Sequence, residues 1–389
     1  MNEQRTADLA TPRPLWELAL LYAKLGTTAF GGPAAHIALM EDEVIRRRHW
    51  LTHEEFLDLL GVVNLIPGPS STEMAIQIGY RVAGWPGLLI GGTCFILPAA
   101  LLTLVLAWIY VRYGMLPQAA GFLHGVKAVI IAVMAQAIWN LSRTAIKSRL
   151  LAGIGALAGL ASAFGLNVLI VLFGTGLLSV ALKRGPHLRG MPSRAIAALL
   201  PKAAAIGFVE ASGPAATLSL ASLFTVFLKV GTVLFGSGYV LLAFLRTDLV
   251  VRLHWLSDKQ LLDAIAVGQV TPGPVFSTAT FIGYLLGRVP GAVVATVGIF
   301  LPSFIFIAVV GPLVPLLRRS PTVGAFLDGV NVAALALIVV VTWHLGRASL
   351  VDVATIVMAV LGAVALIRFR INSTWLILAG AVVGSITTR

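Results

Sequence analysis

Charge is what this sequence has least of. Only 11% of its 389 residues are Asp, Glu, Lys or Arg, against roughly 25% in ordinary globular domains. With 58% hydrophobic residues, a water-soluble fold would leave much of that apolar surface exposed, because the buried fraction rises only slowly with size. A soluble multidomain enzyme and a disordered protein are both excluded. There is one cysteine, Cys94, which excludes a disulfide framework and a cysteine-rich metal site. His49 and His53 stand four apart without an evident third ligand, so no metal or other cofactor is expected. Walker loops, dinucleotide fingerprints and nucleophile elbows are missing, and no enzyme activity is expected. The polar stretch Met1–Pro14 leads into no compact apolar core with a small-residue cleavage site, so no removable leader is expected. The alternating ten-residue segments of a membrane barrel are also missing.

What is there is a series of long apolar runs, enough for about ten crossings at ~20 residues each. The 28 Lys and Arg outnumber the 16 Asp and Glu. They cluster between the runs, as in Arg46, Arg47 and Arg48, or Arg143, Lys147 and Arg149. That is the positive-inside pattern of loops held in the cytoplasm, not a nucleic-acid surface. The expectation is a multi-pass protein of the inner (cytoplasmic) membrane, with the lipid bilayer as its surroundings. A homodimer is left open.

The runs form two copies of one unit. Lys24-Leu25-Gly26 matches Lys229-Val230-Gly231 at an offset of 205 residues, and Trp50-Leu51 matches Trp255-Leu256 at the same offset. Pro67-Gly68-Pro69 matches Pro272-Gly273-Pro274, again at 205; past one deletion, Ile78-Gly79-Tyr80 matches Ile282-Gly283-Tyr284 at 204. Each copy reads as segments a to f. The chain divides into a first transmembrane repeat (1–182), a connector (183–216) and a second repeat (217–389). Basic loops of one copy correspond to loops without that bias in the other. The fold expected is therefore an all-α polytopic membrane protein of two inverted tandem repeats. Each has about five spanning helices, with broken or re-entrant helices at the Pro-Gly-Pro motifs.

Pro-Gly-Pro inside an apolar helix removes backbone donors and breaks the hydrogen-bond ladder. In hydrocarbon the freed groups need partners, so such breaks are tolerated only against protein or a cavity. Paired breaks at matching positions point to a transporter's solute site. Ser70, Ser71 and Thr72 follow the first break, and Ser277 and Thr278 the second. Helix amino ends with hydroxyls suit an anion, although a capped helix kink is the plainer reading of one copy alone. Gly31-Gly32-Pro33 and Gly236-Ser237-Gly238 are a second matched pair of breaks, suited to close approach or to helix packing. Asn64 and Gln269, ahead of each Pro-Gly-Pro, are matched polar groups that either meet a solute or bond a neighbouring helix. Lys24 and Lys229 are countercharge candidates or snorkelling ends. Glu73 completes a capping box with Ser70 or carries a proton within the membrane; Thr278 stands there in copy two. Lys127 and Asp328, on the d segments, are candidates to pair with each other or with Glu73.

These residues carry a family resemblance. Phe30-Gly31-Gly32-Pro33, Trp50-Leu51, the run from Asn64 to Pro69 with Ser71-Thr72-Glu73, and Ile78-Gly79-Tyr80 resemble the chromate ion transporter family. Gly268 to Pro274 and Ile282-Gly283-Tyr284 repeat the pattern, which is similar to the family's two-copy branch. The resemblance implies export of chromate across the inner membrane, driven by the proton motive force, and chromate resistance. Its motif residues fall on Gly31, Gly32, Pro33, Pro67, Gly68, Pro69, Pro272, Gly273 and Pro274. Copy two departs at Gly236-Ser237-Gly238. From the residues alone, sulfate is an equally good tetrahedral dianion, and a channel is a further alternative.

Overall fold

The computed structural model describes residues 15–113, 117–184, 217–234, 240–310, 320–369, 371 and 373–387. Among them it is all-helical, with fourteen α-helices and no strand. The connector expected at 183–216 lies almost wholly outside the described residues, as do Gly236, Ser237 and Gly238.

Copy one opens with α1 (Leu15–Thr28) and α2 (Pro33–Glu41), parted by the Gly31-Gly32 break. Copy two opens with α8 (Leu220–Val233) and α9 (Val240–Leu245). A π-helical turn follows in each, at Asp42–Arg47 and Arg246–Arg252. The next helices are α3 (His53–Val63) and α10 (Asp258–Val270). Both start from capping boxes, Thr52 with Glu55 and Ser257 with Gln260, at matching positions. Each box satisfies two of the donors that a helix start leaves free.

Past the Pro-Gly-Pro tips run α4 (Ser70–Tyr113) and α11 (Thr278–Val310), the latter preceded by a 3-10 turn at Val275–Ser277. Neither is straight. The backbone leaves helical geometry at Ala83 and Gly84, and again at Gly287 and Arg288. In a straight helix Gly79 and Gly87 would stand about 12 Å apart at 1.5 Å per residue. Here a side-chain carbon on Gly79 would collide with the Gly87 carbonyl, and Gly91 faces Ala75 in the same way. The chain therefore doubles back. Gly283 and Gly291 repeat this contact in copy two.

One ion pair fixes the direction of the preceding leg. Glu55, at the start of α3, lies 2.6 Å from Arg81, at the end of the first leg of α4. The two legs are thus antiparallel, and Asn64–Pro69 is the tip of a hairpin. Hairpin one is α3 with Ser70–Val82; hairpin two is α10 with the first leg of α11.

The remaining helices form a second bundle: α5 (Pro117–Ala145), α6 (Arg149–Ala163), α7 (Val168–Arg184), α12 (Pro321–Ser349), α13 (Val353–Arg368) and α14 (Ser373–Thr387). Its packing is exchanged between the copies. α5 of copy one is covered by α13 and α14 of copy two, and α12 of copy two by α6 and α7 of copy one. Small residues permit the approach: Gly125 backs onto Gly380 and Gly384, and Gly329 onto Thr175 and Gly176. Each copy thus covers the long central helix of the other. Among the described residues four helices are long and apolar enough to cross a membrane, at Ser70–Tyr113, His124–Ala145, Val275–Val309 and Pro321–Ser349, with five shorter apolar helices beside them. Outward-facing Leu89, Leu101, Val293 and Val360 are all more than half exposed, which suits lipid and not water.

The d-segment charges pair differently from either candidate reading. Lys127 lies 2.8 Å from Asp263, and Asp328 bridges Lys147 and Lys183 at 2.7 and 2.8 Å. Neither reaches Glu73, because Asp263 and the two lysines are nearer partners.

The fold-back contact yields a stability test. Gly87→Val should lower the yield of membrane-inserted protein and its thermal midpoint in detergent by the equivalent of ~2 kcal/mol or more, since overpacking a backbone contact has no flexible neighbour to move. Gly153→Val, whose added carbon meets nothing within 4 Å, should leave both nearly unchanged.

Candidate functional site

Both hairpin tips are buried: Gly68, Pro69, Pro272, Gly273 and Pro274 are all withdrawn from the surface, with Pro67 partly so. Each tip ends on the broken helix of the other copy. The Gly68 amide donates to the Leu234 carbonyl at 2.7 Å, and the Gly273 amide to the Ala29 carbonyl at 2.8 Å. Donors and acceptors correspond at the same 205-residue offset. The chemistry explains the choice. The last carbonyls of a helix have no intrahelical donor, and α1 and α8 stop at Thr28 and Val233. A tip amide freed by the flanking prolines supplies what the helix end lacks.

Only glycine fits these tips. Gly68 has φ +144° and Gly273 φ +83°, which side chains rarely adopt. An added carbon on Gly273 would come 2.8 Å from Ala99 Cβ and 2.9 Å from the Gly26 carbonyl. On Gly68 it would meet Ser303 Oγ at 2.8 Å and run into the Glu73 carboxyl. Ala99 and Ser303 are themselves equivalents, each following a Leu-Pro on the long leg of α4 or α11.

Around these tips lie buried polar atoms with no hydrogen-bond partner among the described residues: Thr72 Oγ1, both Glu73 oxygens and Gln77 Oε1 from copy one, and Ser277 Oγ and Ser303 Oγ from copy two. Tyr22 Oη and His36 Nδ1, both packed edge-on against Phe95, belong to the same set. Buried polar groups are nearly always satisfied, so such a gathering marks a place where something polar is accommodated. Glu73 is wholly buried. It closes no capping box with Ser70; the Glu73 and Thr72 amides turn to the Pro69 carbonyl instead, at 3.0 and 2.8 Å.

The other candidates are placed as follows. Ser71, Thr72, Ser277 and Thr278 are buried at the tips, and Ser70 partly so. Thr278 Oγ1 donates to the Val275 carbonyl. Gly31 and Gly32 have φ +103° and +82°, and Pro33 starts α2. Asn64 is exposed, whereas Gln269 is half-buried. Lys24 lies 2.9 Å from Glu43, and Lys229 3.1 Å from Asp248. Both lysines thus have a carboxylate at hand, and both carboxylates sit at equivalent positions in the π-helical turns.

Sequence reasoning missed Gln77, Ser303, Tyr22 and His36. They carry no repeat signal: their counterparts are Phe281, Ala99, Phe227 and Leu241. His36 Nε2 meets the Ala29 carbonyl at 3.1 Å, the same carbonyl that receives Gly273. The acids Glu43 and Asp248 were legible as a matched pair nineteen residues beyond each lysine.

The comparisons with known proteins fit this geometry. The profile of the family described as Chromate transporter matches the chain twice, over residues 16–180 and 221–385. A chromate transport protein of Cupriavidus metallidurans is 34% identical over 374 residues, spanning 94% of this chain and 91% of that one. A probable chromate transport protein of Synechococcus elongatus is 31% identical, covering 91% and 89%. A chromate transport protein of Pseudomonas aeruginosa is 31% identical, covering 89% and 84%. No solved structure matches.

Replacing either tip glycine should break the cross-repeat contact. Gly68→Ala and Gly273→Ala should each cost ~2 kcal/mol or more, from the strained φ together with the lost hydrogen bond. Unfolding of the purified protein in detergent would report it, with Gly174→Ala, which meets open space, as the neutral comparison.

Proposed function

The chain belongs to the chromate transporter family, a family of multi-pass transport proteins, and we propose that it exports chromate across the cytoplasmic membrane, driven by the proton motive force. The observation that carries this is the meeting of both hairpin tips with unsatisfied polar atoms around a buried acid.

The two tip glycine amides are engaged in holding the repeats together, so the dianion is received by other donors. The first-turn amides of Ser70 and Ser71 have no acceptor among the described residues. With the hydroxyls of Thr72, Ser277 and Ser303 they make a neutral donor set at a helix amino end. Asn64, Gln269 and the glycine breaks border the path to it. Lys24 and Lys229, held on Glu43 and Asp248, become countercharges only if those pairs open.

Glu73 sets the coupling. A carboxylate and a dianion cannot share a dry pocket without strong repulsion. Buried without a cation, the group is stable there as the neutral acid. The proton therefore travels with the anion, so each cycle carries one net negative charge and the electrical part of the proton motive force drives it. The energetics favour export. Net negative charge leaving a negative interior gains about 2.3 kcal/mol per elementary charge per 100 mV. The reciprocal contacts and the charge bias of the loops support repeats of opposite orientation, 1–182 and 217–389 joined by 183–216, with re-entrant hairpins and about ten crossings.

The test is chromate flux in inverted membrane vesicles with imposed pH and electrical gradients. Chromate should accumulate, and excess sulfate should compete poorly; equal competition would make the protein a general oxyanion carrier. Flux that ignores the gradients would make it a channel. Glu73→Gln should keep chromate exchange while losing the response to pH, because the amide stands permanently for the protonated acid. An unchanged pH response would leave Glu73 without a coupling role. Pro67→Ala with Pro272→Ala should remove transport and leave the protein in the membrane.

A further inference from the structure

We propose that Glu73 sets the specificity of the site by sharing a single proton with the bound oxyanion. The chain then takes tetrahedral dianions basic enough to hold that proton, chromate among them, and rejects sulfate and selenate. This deepens the transport reading above and rests on it.

Geometry places the acid at the first tip. A side-chain carbon on Gly68 would run into the Glu73 carboxyl and meet Ser303 Oγ at 2.8 Å. The carboxyl therefore stands where the tip of copy one meets the long leg of α11. It is wholly buried, and neither of its oxygens has a hydrogen-bond partner among the described residues. Gln77 Oε1, one turn further along α4, is in the same condition. Among the described residues no cation pairs with Glu73; Lys24, Lys127 and Lys229 lie on Glu43, Asp263 and Asp248 instead. The five residues that follow Leu234, whose carbonyl receives the Gly68 amide, are Phe235-Gly236-Ser237-Gly238-Tyr239, and none is Lys, Arg or His. The matching place in copy two is not acidic. Thr278 stands for Glu73 and Ala99 for Ser303, and Thr278 Oγ1 already donates to the Val275 carbonyl.

An ionised Glu73 beside a dianion would gather three negative charges among neutral donors. At an effective dielectric constant of ~20, two unit charges 4 Å apart repel by about 4 kcal/mol. One proton relieves most of this, and it has two resting places. A protonated Glu73 with chromate, and an ionised Glu73 with hydrogen chromate, are the two ends of one O–H···O hydrogen bond with the same total charge. Such charge-assisted bonds are short and strong, and they strengthen as the two oxygens approach each other in basicity. Hydrogen chromate is a weak acid, so chromate holds a proton much as a carboxylate does. Hydrogen sulfate and hydrogen selenate are strong acids, and their dianions hold one poorly. A buried site built round one hydrogen bond discriminates against a solute that cannot complete it. Selenate isolates the effect from size, because it matches chromate in charge, shape and bond length and differs in basicity.

Competition and absorption measured together test this. In inverted vesicles holding the full-length protein, halving the uptake of labelled chromate should take a selenate concentration roughly tenfold or more above that of unlabelled chromate. Glu73→Gln, which can neither give nor take a proton, should bring the two close to equality, and Glu73→Asp should keep the preference. Ser303→Ala, which removes a neutral donor, should weaken chromate and selenate alike and leave their ratio where it was. Chromate bound to the purified protein in detergent gives a second reading that needs no transport. At alkaline pH, where free chromate is the dianion, its near-ultraviolet band should move toward that of hydrogen chromate in the unaltered and Glu73→Asp proteins. In Glu73→Gln the band should stay at the dianion's position; the measurements on the unaltered protein decide the matter if that variant does not fold. Selenate competing as well as chromate, a ratio unchanged by Glu73→Gln, or a bound band identical to that of free chromate would overturn the inference and leave chromate transport standing. Absence of any chromate uptake by the unaltered chain would remove the transport reading, and this inference with it.

Discussion

A backbone broken inside lipid must find its hydrogen bonds within the protein, and in this fold the two breaks of each repeat are completed by the other repeat. The carbonyl left over where α1 stops is taken by Gly273, and the one left where α8 stops is taken by Gly68. Neither bond is strong by the standard of a folded domain, about 1 kcal/mol net. Leaving either group bare would cost several times that in hydrocarbon. The proline pairs free the amides, the glycines let the tips approach, and the short helices stop early enough to present an acceptor. Changing any one of these leaves the other two without a purpose.

The same reciprocity runs through the peripheral bundle. α5 finds its cover in α13 and α14, and α12 finds its cover in α6 and α7. A single repeat would leave its central helix and its hairpin tip without their closest neighbours. The duplication is therefore one structural unit and not two domains in series: each tip is anchored on the other copy.

The sequence made much of this legible. A register of 205 residues that shifts by one after the tips located both hairpins and the glycine break of copy one. The helical class followed from apolar runs too long and too unbroken for strands. What could not be read was the direction in which the chain leaves each tip. The turn at Ala83-Gly84 looks like any loop ahead of Pro86; only the clash of Gly79 with Gly87 shows that the chain reverses there. The capping box was sought at Ser70 and Glu73, and the boxes that form are at Thr52 with Glu55 and Ser257 with Gln260. A box requires its first residue to stay outside the helix, and Ser70 is drawn inside by the proline ahead of it. The charge partners were also hidden. Lys127 was visible as an intramembrane cation, but nothing along the chain connects it with Asp263, since that pairing belongs to the contact between repeats.

Matched and unmatched residues divide the work between them. Lys24 and Lys229, Glu43 and Asp248, His49 and His254 with their shared positive φ, and the two tips are equivalent in kind and build a frame that is the same on both sides. A frame of that symmetry makes the departures from it the distinguishing features. Glu73 faces Thr278, Gln77 faces Phe281, and Lys127 faces Asn331. Glu73 and Gln77 set buried polar atoms on hairpin one, and Lys127 meets Asp263 of hairpin two at 2.8 Å, so the two tips are framed alike and lined differently.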